Sequence, residues 1–203
     1  PMDQPFANLV QELFERQKYP DAILDGSGKP VDLPYDVTGW TLPLQMGVTV
    51  AALTAPLGAE ARAALEPVAA ATAAGGVSGE GEVFVLSRKV NASYAAVNDA
   101  LREGAKLALA TAATATPQGE ETGAFVLSRI GREAMQRIAA AHGAEALAVA
   151  QAPAGAAAKP ARVGLYRPWG WNIDEGWTRW LLQQYRYDLH SLHNADIQAG
   201  RLD

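Results

Sequence analysis

The sequence predicts an α/β fold, on three observations. The pentapeptide Phe-Val-Leu-Ser-Arg occurs at Phe84–Arg88 and again at Phe125–Arg129, and each copy opens a strand–helix–strand pattern. Further on, a short apolar strand runs through a Pro/Gly/Trp loop into a helix that begins at an Asn-Ile-Asp-Glu cap. An amphipathic pattern at the start of the chain adds an N-terminal helical arm.

Taken in order, residues 3–18 place Phe6, Leu9, Val10, Leu13 and Phe14 on the i, i+3, i+4, i+7, i+8 stripe of a helix, with Pro5 in a first-turn position. A Pro/Gly/Asp loop follows from Tyr19 to Pro34. Asp36 to Met46 reads as a short helix or a turn-rich segment, made irregular by Pro43. Val48 to Leu53 reads as a strand, and the alanine-rich run Ala59–Ala74 as part helix, part linker. In the first repeat Ser93–Glu103 is the helix and Lys106–Ala110 the second strand; in the second these are Arg132–His142 and Ala146–Ala150. A helix between two buried strands implies a parallel pairing with a right-handed crossover, the helices packed on the strands. Ala152–Lys159, small and of low complexity, reads as a linker. Beyond it come a strand at Val163 and Leu165, the Trp-rich loop and helix, and a strand-like alternation over Tyr187–Ile197.

The expected organisation is a helical and Pro/Gly-rich arm over 1–50, an α/β region with two similar βαβ units over 51–153, and the start of a further α/β domain over 160–203. The opening Pro1-Met2-Asp3-Gln4-Pro5 and the close after a strand-like run are expected of a fragment, which would leave that last domain incomplete.

Composition narrows the function classes. The chain has 203 residues, 49% apolar and 19% charged, with a formal net charge of −5. It has no basic stripe interleaved with aromatics, which argues against nucleic acid and anionic membrane surfaces as partners. No window reaches the ~18 consecutive apolar residues of a membrane helix. Cysteine is absent, so disulfides, thiolate metal ligands and a Cys nucleophile are excluded. No Gly-x-Ser-x-Gly elbow and no Ser/His/Asp ordering appears, and Gly26-Ser27-Gly28 carries no phosphate fingerprint.

The richest segment is Arg162–Tyr185, which holds Trp169, Trp171, Trp177 and Trp180. Asn172 as N-cap with Glu175 three residues on has the form of a capping box, and Asp174 is a further first-turn acid. On the functional reading, Arg167, Trp169, Trp171, Asn172, Asp174 and Glu175 line a crevice at the strand's C-terminal end, where open α/β sheets place ligands. Tryptophans beside a carboxylate suit a cationic or sugar-like ligand, and they suit a domain interface equally well. Trp177, Trp180 and Leu181 share a helix face that is expected to be buried in a core or against a neighbouring domain. Ser87-Arg88 and Ser128-Arg129 stand before helices, where Ser reads as an N-cap and the Arg as an alternative holder of phosphate or carboxylate.

Two stretches, Tyr19–Val48 (YPDAILDGSGKPVDLPYDVTGWTLPLQMGV) and Arg162–Leu182, resemble the C-terminal part of large bacterial zinc carboxypeptidases of the M14 family, with a looser likeness over the repeats. The resemblance implies a peptidase domain upstream in the parent chain, a secreted or periplasmic location, and a C-terminal domain similar to the class I glutamine amidotransferase fold. Zinc would belong to the parent's catalytic domain. His142-Gly143-Ala144-Glu145 matches the His-x-x-Glu spacing of such a zinc pair, but Gly143 reads as a helix C′ glycine that sets His142 and Glu145 on either side of a turn. His190 and His193, three apart on a strand, point to opposite faces. The expectation is therefore no catalytic residue, metal site or cofactor in this fragment. The leading function is a non-catalytic accessory region that serves domain packing, homo-oligomerisation or peptide positioning. The alternative is a small-molecule or peptide-binding module with a Trp-lined crevice at 167–175, and a zinc hydrolase comes third.

Overall fold

The apolar runs of the two repeats form the middle of one six-stranded sheet. The structure, a computed structural model, describes residues 4–16, 21–32, 41–67, 73–200 and 202. The chain divides into two units, Pro1–Pro67 and Val68–Asp203.

In the first unit the amphipathic arm forms α1 (Ala7–Phe14), which has no buried residue. Pro5 lies before its N-cap Phe6 rather than inside the first turn. The Thr41 hydroxyl donates to the Glu15 carbonyl at 2.8 Å, and α2 (Leu42–Met46) follows, ending on Gly47 in the left-handed region (φ 62°). Residues 36–40 of the expected irregular segment lie outside the described residues, as do residues 19–20 and 33–40 of the stretch matched to the carboxypeptidases. Val48–Leu53 has no regular secondary structure and is not a strand. Its alternation is strand-like, but no edge pairs with it among the described residues, and Val48, Val50 and Leu53 are exposed. α3 (Ala59–Ala63) is the helical part of the alanine-rich run.

In the second unit the strands are β1 (Gly76–Gly79), β2 (Val83–Leu86), β3 (Lys106–Ala110), the hairpin β4 (Thr114–Thr116) and β5 (Gly119–Glu121), β6 (Phe125–Ser128), β7 (Glu145–Val149) and β8 (Gly155–Ala158). The helices are α4 (Asn91–Arg102) and α5 (Arg132–His142). The large sheet runs β1-β7-β2-β6-β3-β8, with β1–β7 parallel and every other pair antiparallel. The α/β class is thus as expected, in a mixed sheet with helices packed on it. The parallel pairing inside each repeat is not. In β2-α4-β3 and β6-α5-β7 the two strands run the same way, but a strand of the other repeat separates them. The hairpin between β3 and β6 turns the chain back, so β6 enters beside β3 and fills the gap next to β2. The order β7-β2-β6-β3 is the split βαβ arrangement of ferredoxin-like sheets.

Alternation divides the core. Phe84, Leu86 and Leu127 face α4 and α5 and pack with Ala96, Val97, Met135 and Ile138, all buried. Val85 and Val126 face the other way, with Ala110 and Ala124. Tyr94 meets Phe125 edge-on at 5.2 Å. Ala152–Lys159 is not a linker throughout, since β8 pairs with β3 from Gly155 to Ala158.

The remaining residues form a small βαβ unit of β9 (Val163–Tyr166), α6 (Ile173–Gln184) and β10 (Leu189–Leu192), then α7 (Asn194–Gln198). Here the two strands are true parallel neighbours, in register from Val163–Leu189 to Tyr166–Leu192. The expected strand over Tyr187–Ile197 is therefore shorter and gives way to a helix. This unit is fastened to α4 by polar groups: Asn98 Nδ2 donates to Tyr185 O at 2.8 Å, and the Arg102 guanidinium reaches Arg186 O at 2.6 Å and the Asp188 carboxylate at 2.5 Å.

Candidate functional site

Because β9 and β10 are parallel, their C-terminal ends emerge on one edge, and the loops that follow them meet there. Arg167 N–H donates to Leu192 O at 2.8 Å, continuing the ladder past the strands. The His193 ring closes the other side, its Nδ1 lying 3.2 Å from Arg167 O. The ring also belongs to the capping box at the start of α7, where it accepts from the Asp196 main chain. Tyr166 Oη donates to Asn194 Oδ1 at 2.6 Å, which leaves the Asn194 NH₂ as donor. These loops enclose an open cavity of about 500 Å³ lined by Arg167, Pro168, Trp169, His193, Asn194 and Ala195.

Of the six residues predicted to line a crevice here, the cavity includes Arg167 and Trp169 and not the other four. Asn172 is the N-cap of α6, its Oδ1 accepting from Glu175 N at 3.2 Å. The Glu175 carboxylate accepts from Arg179 Nε at 2.8 Å and also holds the Arg179 Nη2, which in turn reaches Ser191 Oγ at 3.0 Å. Asp174 lies in the first turn and Trp171 is 85% exposed. The carboxylates therefore belong to the helix start and to the α6–β10 contact. The two lining residues that the sequence reading missed, His193 and Asn194, come from the end of a different strand.

Helix α6 is amphipathic in the opposite sense to a core helix. Glu175, Arg179 and Leu182 are half-buried. Ile173, Trp177, Trp180 and Leu181, at i, i+4, i+7 and i+8, are exposed, and the two indoles stack edge-to-face at 6.0 Å. The expected burial of this tryptophan pair in a core does not occur within the described residues.

The Ser-Arg pairs are not helix caps. The N-caps of α4 and α5 are Val90 and Gly131, without side-chain capping bonds. Ser87 is fully buried, and its hydroxyl donates to Glu121 Oε2 at 2.7 Å, while Arg88 N–H donates to Glu121 Oε1 at 2.7 Å. Lys89 Nζ lies 4.0 Å from the same carboxylate. The backbone donor that a bound anion would use at this turn is thus taken by Glu121. The loop at Gly26-Ser27-Gly28 behaves alike, with Asp25 Oδ1 accepting from Ser27 N, Ser27 Oγ and Lys29 N at 2.7–2.9 Å. Those bonds, the Ser27 hydroxyl foremost, hold the Asp25 carboxyl below its ordinary pKa.

The residues present do not fit a zinc ion. His142 ends α5, Gly143 reverses the chain at φ 64°, and Glu145 opens β7. His142 Nε2 faces Asp99 Oδ2 at 2.7 Å, and Glu145 Oε2 accepts from Gln118 Nε2 at 2.6 Å. His190 sits within β10 and His193 is the N-cap of α7. Among the described residues no group of three His, Cys, Asp or Glu converges on a point. No protein-family model, curated protein or solved structure matches this chain.

Proposed function

We propose that this chain is a non-catalytic accessory region of a protein built like the large M14-type zinc carboxypeptidases, and that it packs against a partner domain through the outer face of α6. One observation carries the reading: an exposed apolar stripe, Ile173-Trp177-Trp180-Leu181, on a helix that turns its Glu175–Arg179 pair toward its own sheet. Contiguous exposed apolar surface of this kind marks interaction sites, and tryptophan is the residue most enriched at their energetic centres. The separate engagements of His142 and Glu145 add support, since the chain's one His-x-x-Glu spacing serves hydrogen bonding within the fold.

The test has two arms. The chelator-washed, zinc-reloaded chain is assayed for bound metal and for hydrolysis of a peptide with a free C-terminus against its blocked form. It is also mixed with an isolated M14 peptidase domain and examined by sedimentation. The expected result is no hydrolysis, and a complex that Trp177→Ala weakens at least tenfold, as loss of a tryptophan hot spot does. About one tightly held zinc with hydrolysis overturns the reading, as does the absence of any complex.

A further inference from the structure

We infer that the cavity at the C-terminal ends of β9 and β10 binds a small acidic sugar, a pyranose ring that carries a carboxylate. The inference uses other residues than the α6 stripe and does not depend on it. It rests on what the cavity offers. No ion pair among the described residues engages the Arg167 guanidinium. That fork of N–H donors matches a carboxylate in bidentate geometry. The Asn194 amide, its oxygen taken by Tyr166, adds donors, so the polar lining asks for an acceptor-rich ligand. Trp169, 99% exposed, supplies a flat apolar face against which a ring can lie.

The charge of the lining decides the sign of the ligand. A cationic ligand would need Asp174 or Glu175, and neither lines the cavity; Glu175 is already paired with Arg179. Among the described residues Arg167 is the one charged side chain that does. The position also fits the general rule that parallel strands bind ligands outside their carboxyl ends. The loops are held by main-chain bonds to Leu192 and Arg167, so the cavity exists before any ligand arrives.

The test is a saturation-transfer NMR titration of the chain with D-glucuronate, with D-glucose as the neutral ring and inorganic phosphate as a ring-free competitor. A ligand of this size held by one bidentate contact and one stacked face is expected to saturate with Kd on the order of 1 mM. Arg167→Gln and Trp169→Ala should each weaken it at least tenfold, and Trp177→Ala should leave it unchanged. D-glucose should bind at least tenfold more weakly. Arg167 and Trp169 side chains are exposed, and far-UV circular dichroism checks that both variants fold. No saturation up to about 20 mM, equal binding by Arg167→Gln, or equal binding of D-glucose overturns the inference. Displacement by an equimolar amount of phosphate also overturns it, since that describes an anion site with no place for a ring. None of these results bears on complex formation through α6.

Discussion

Asp99 shows how much one side chain fastens. Its carboxylate meets Arg102 Nη1 at 2.9 Å on its own helix, His142 Nε2 at 2.7 Å at the end of α5, and Arg186 Nε at 3.1 Å after α6. Arg102 in turn holds Asp188 ahead of β10. Burial works to raise the Asp99 pKa, but the hydrogen bonds from His142, Arg186 and Arg102 outweigh it, and the carboxyl sits below its ordinary value of 3.8. A depressed carboxyl stabilises the fold above its unfolded pKa, and that stability drains away as pH falls through the lower folded value. Urea midpoints of the wild type and Asp99→Asn should therefore differ above about pH 5 and converge toward about pH 2. At neutral pH the substitution should cost about 1–3 kcal/mol, the usual loss for a hydrogen bond to a charged partner. Gly75 stands just ahead of β1, against α5. A Cβ there would stand 1.9 Å from the Ala139 carbonyl oxygen, so β1 can approach α5 only without a side chain. Gly75→Ala should lower stability by about 1–3 kcal/mol in a denaturant titration, the range for overpacking.

At the scale of elements, β1 is an edge strand whose outward main-chain groups at Val77 are already occupied. Val77 N–H donates to Gln136 Oε1 at 2.8 Å, and Val77 O accepts from Arg132 Nη2 at 3.4 Å, both side chains of α5. Capping of this kind denies an edge to other chains, so Gln136→Ala should show concentration-dependent association by sedimentation velocity while the wild type shows less. The helices of the plait were legible because their ends carry signals: α5 is framed by Gly131 and Gly143, and its observed bounds are those expected from the pattern. β8 was not legible. Gly-Ala-Ala-Ala has no strand propensity of its own, and the pairing with β3 makes it a strand. Val48–Leu53 failed in the opposite direction, with strand residues and no partner among the described residues. The interleaving of the repeats was also hidden, because periodicity reports the type of an element and not its neighbour. The candidate site divided along the same line. Arg167, Trp169 and the Asn172 cap could be read from a continuous segment, whereas His193 and Asn194 join only through the β9–β10 register.

Across the whole second unit, apolar burial and apolar exposure are segregated. The buried clusters draw on residues up to Val149, and the exposed tryptophans follow Tyr166. Ile138→Ala, at a position 2% exposed, should destabilise the unit by about 2–5 kcal/mol. Trp177→Ala, at a position 65% exposed, should move the same denaturation midpoint by no more than about 0.5 kcal/mol. Equal losses at the two positions would mean that α6 packs inward in solution. The interleaved sheet also bears on synthesis. Among the described residues strand β2 pairs only with β6 and β7, and β3 only with β6 and β8. The first repeat therefore leaves the ribosome with every strand unpaired, and it must wait, apolar faces open, until the second repeat has emerged. A nascent chain halted between the two copies should be an avid client for chaperones, and release of a few dozen more residues should end that dependence.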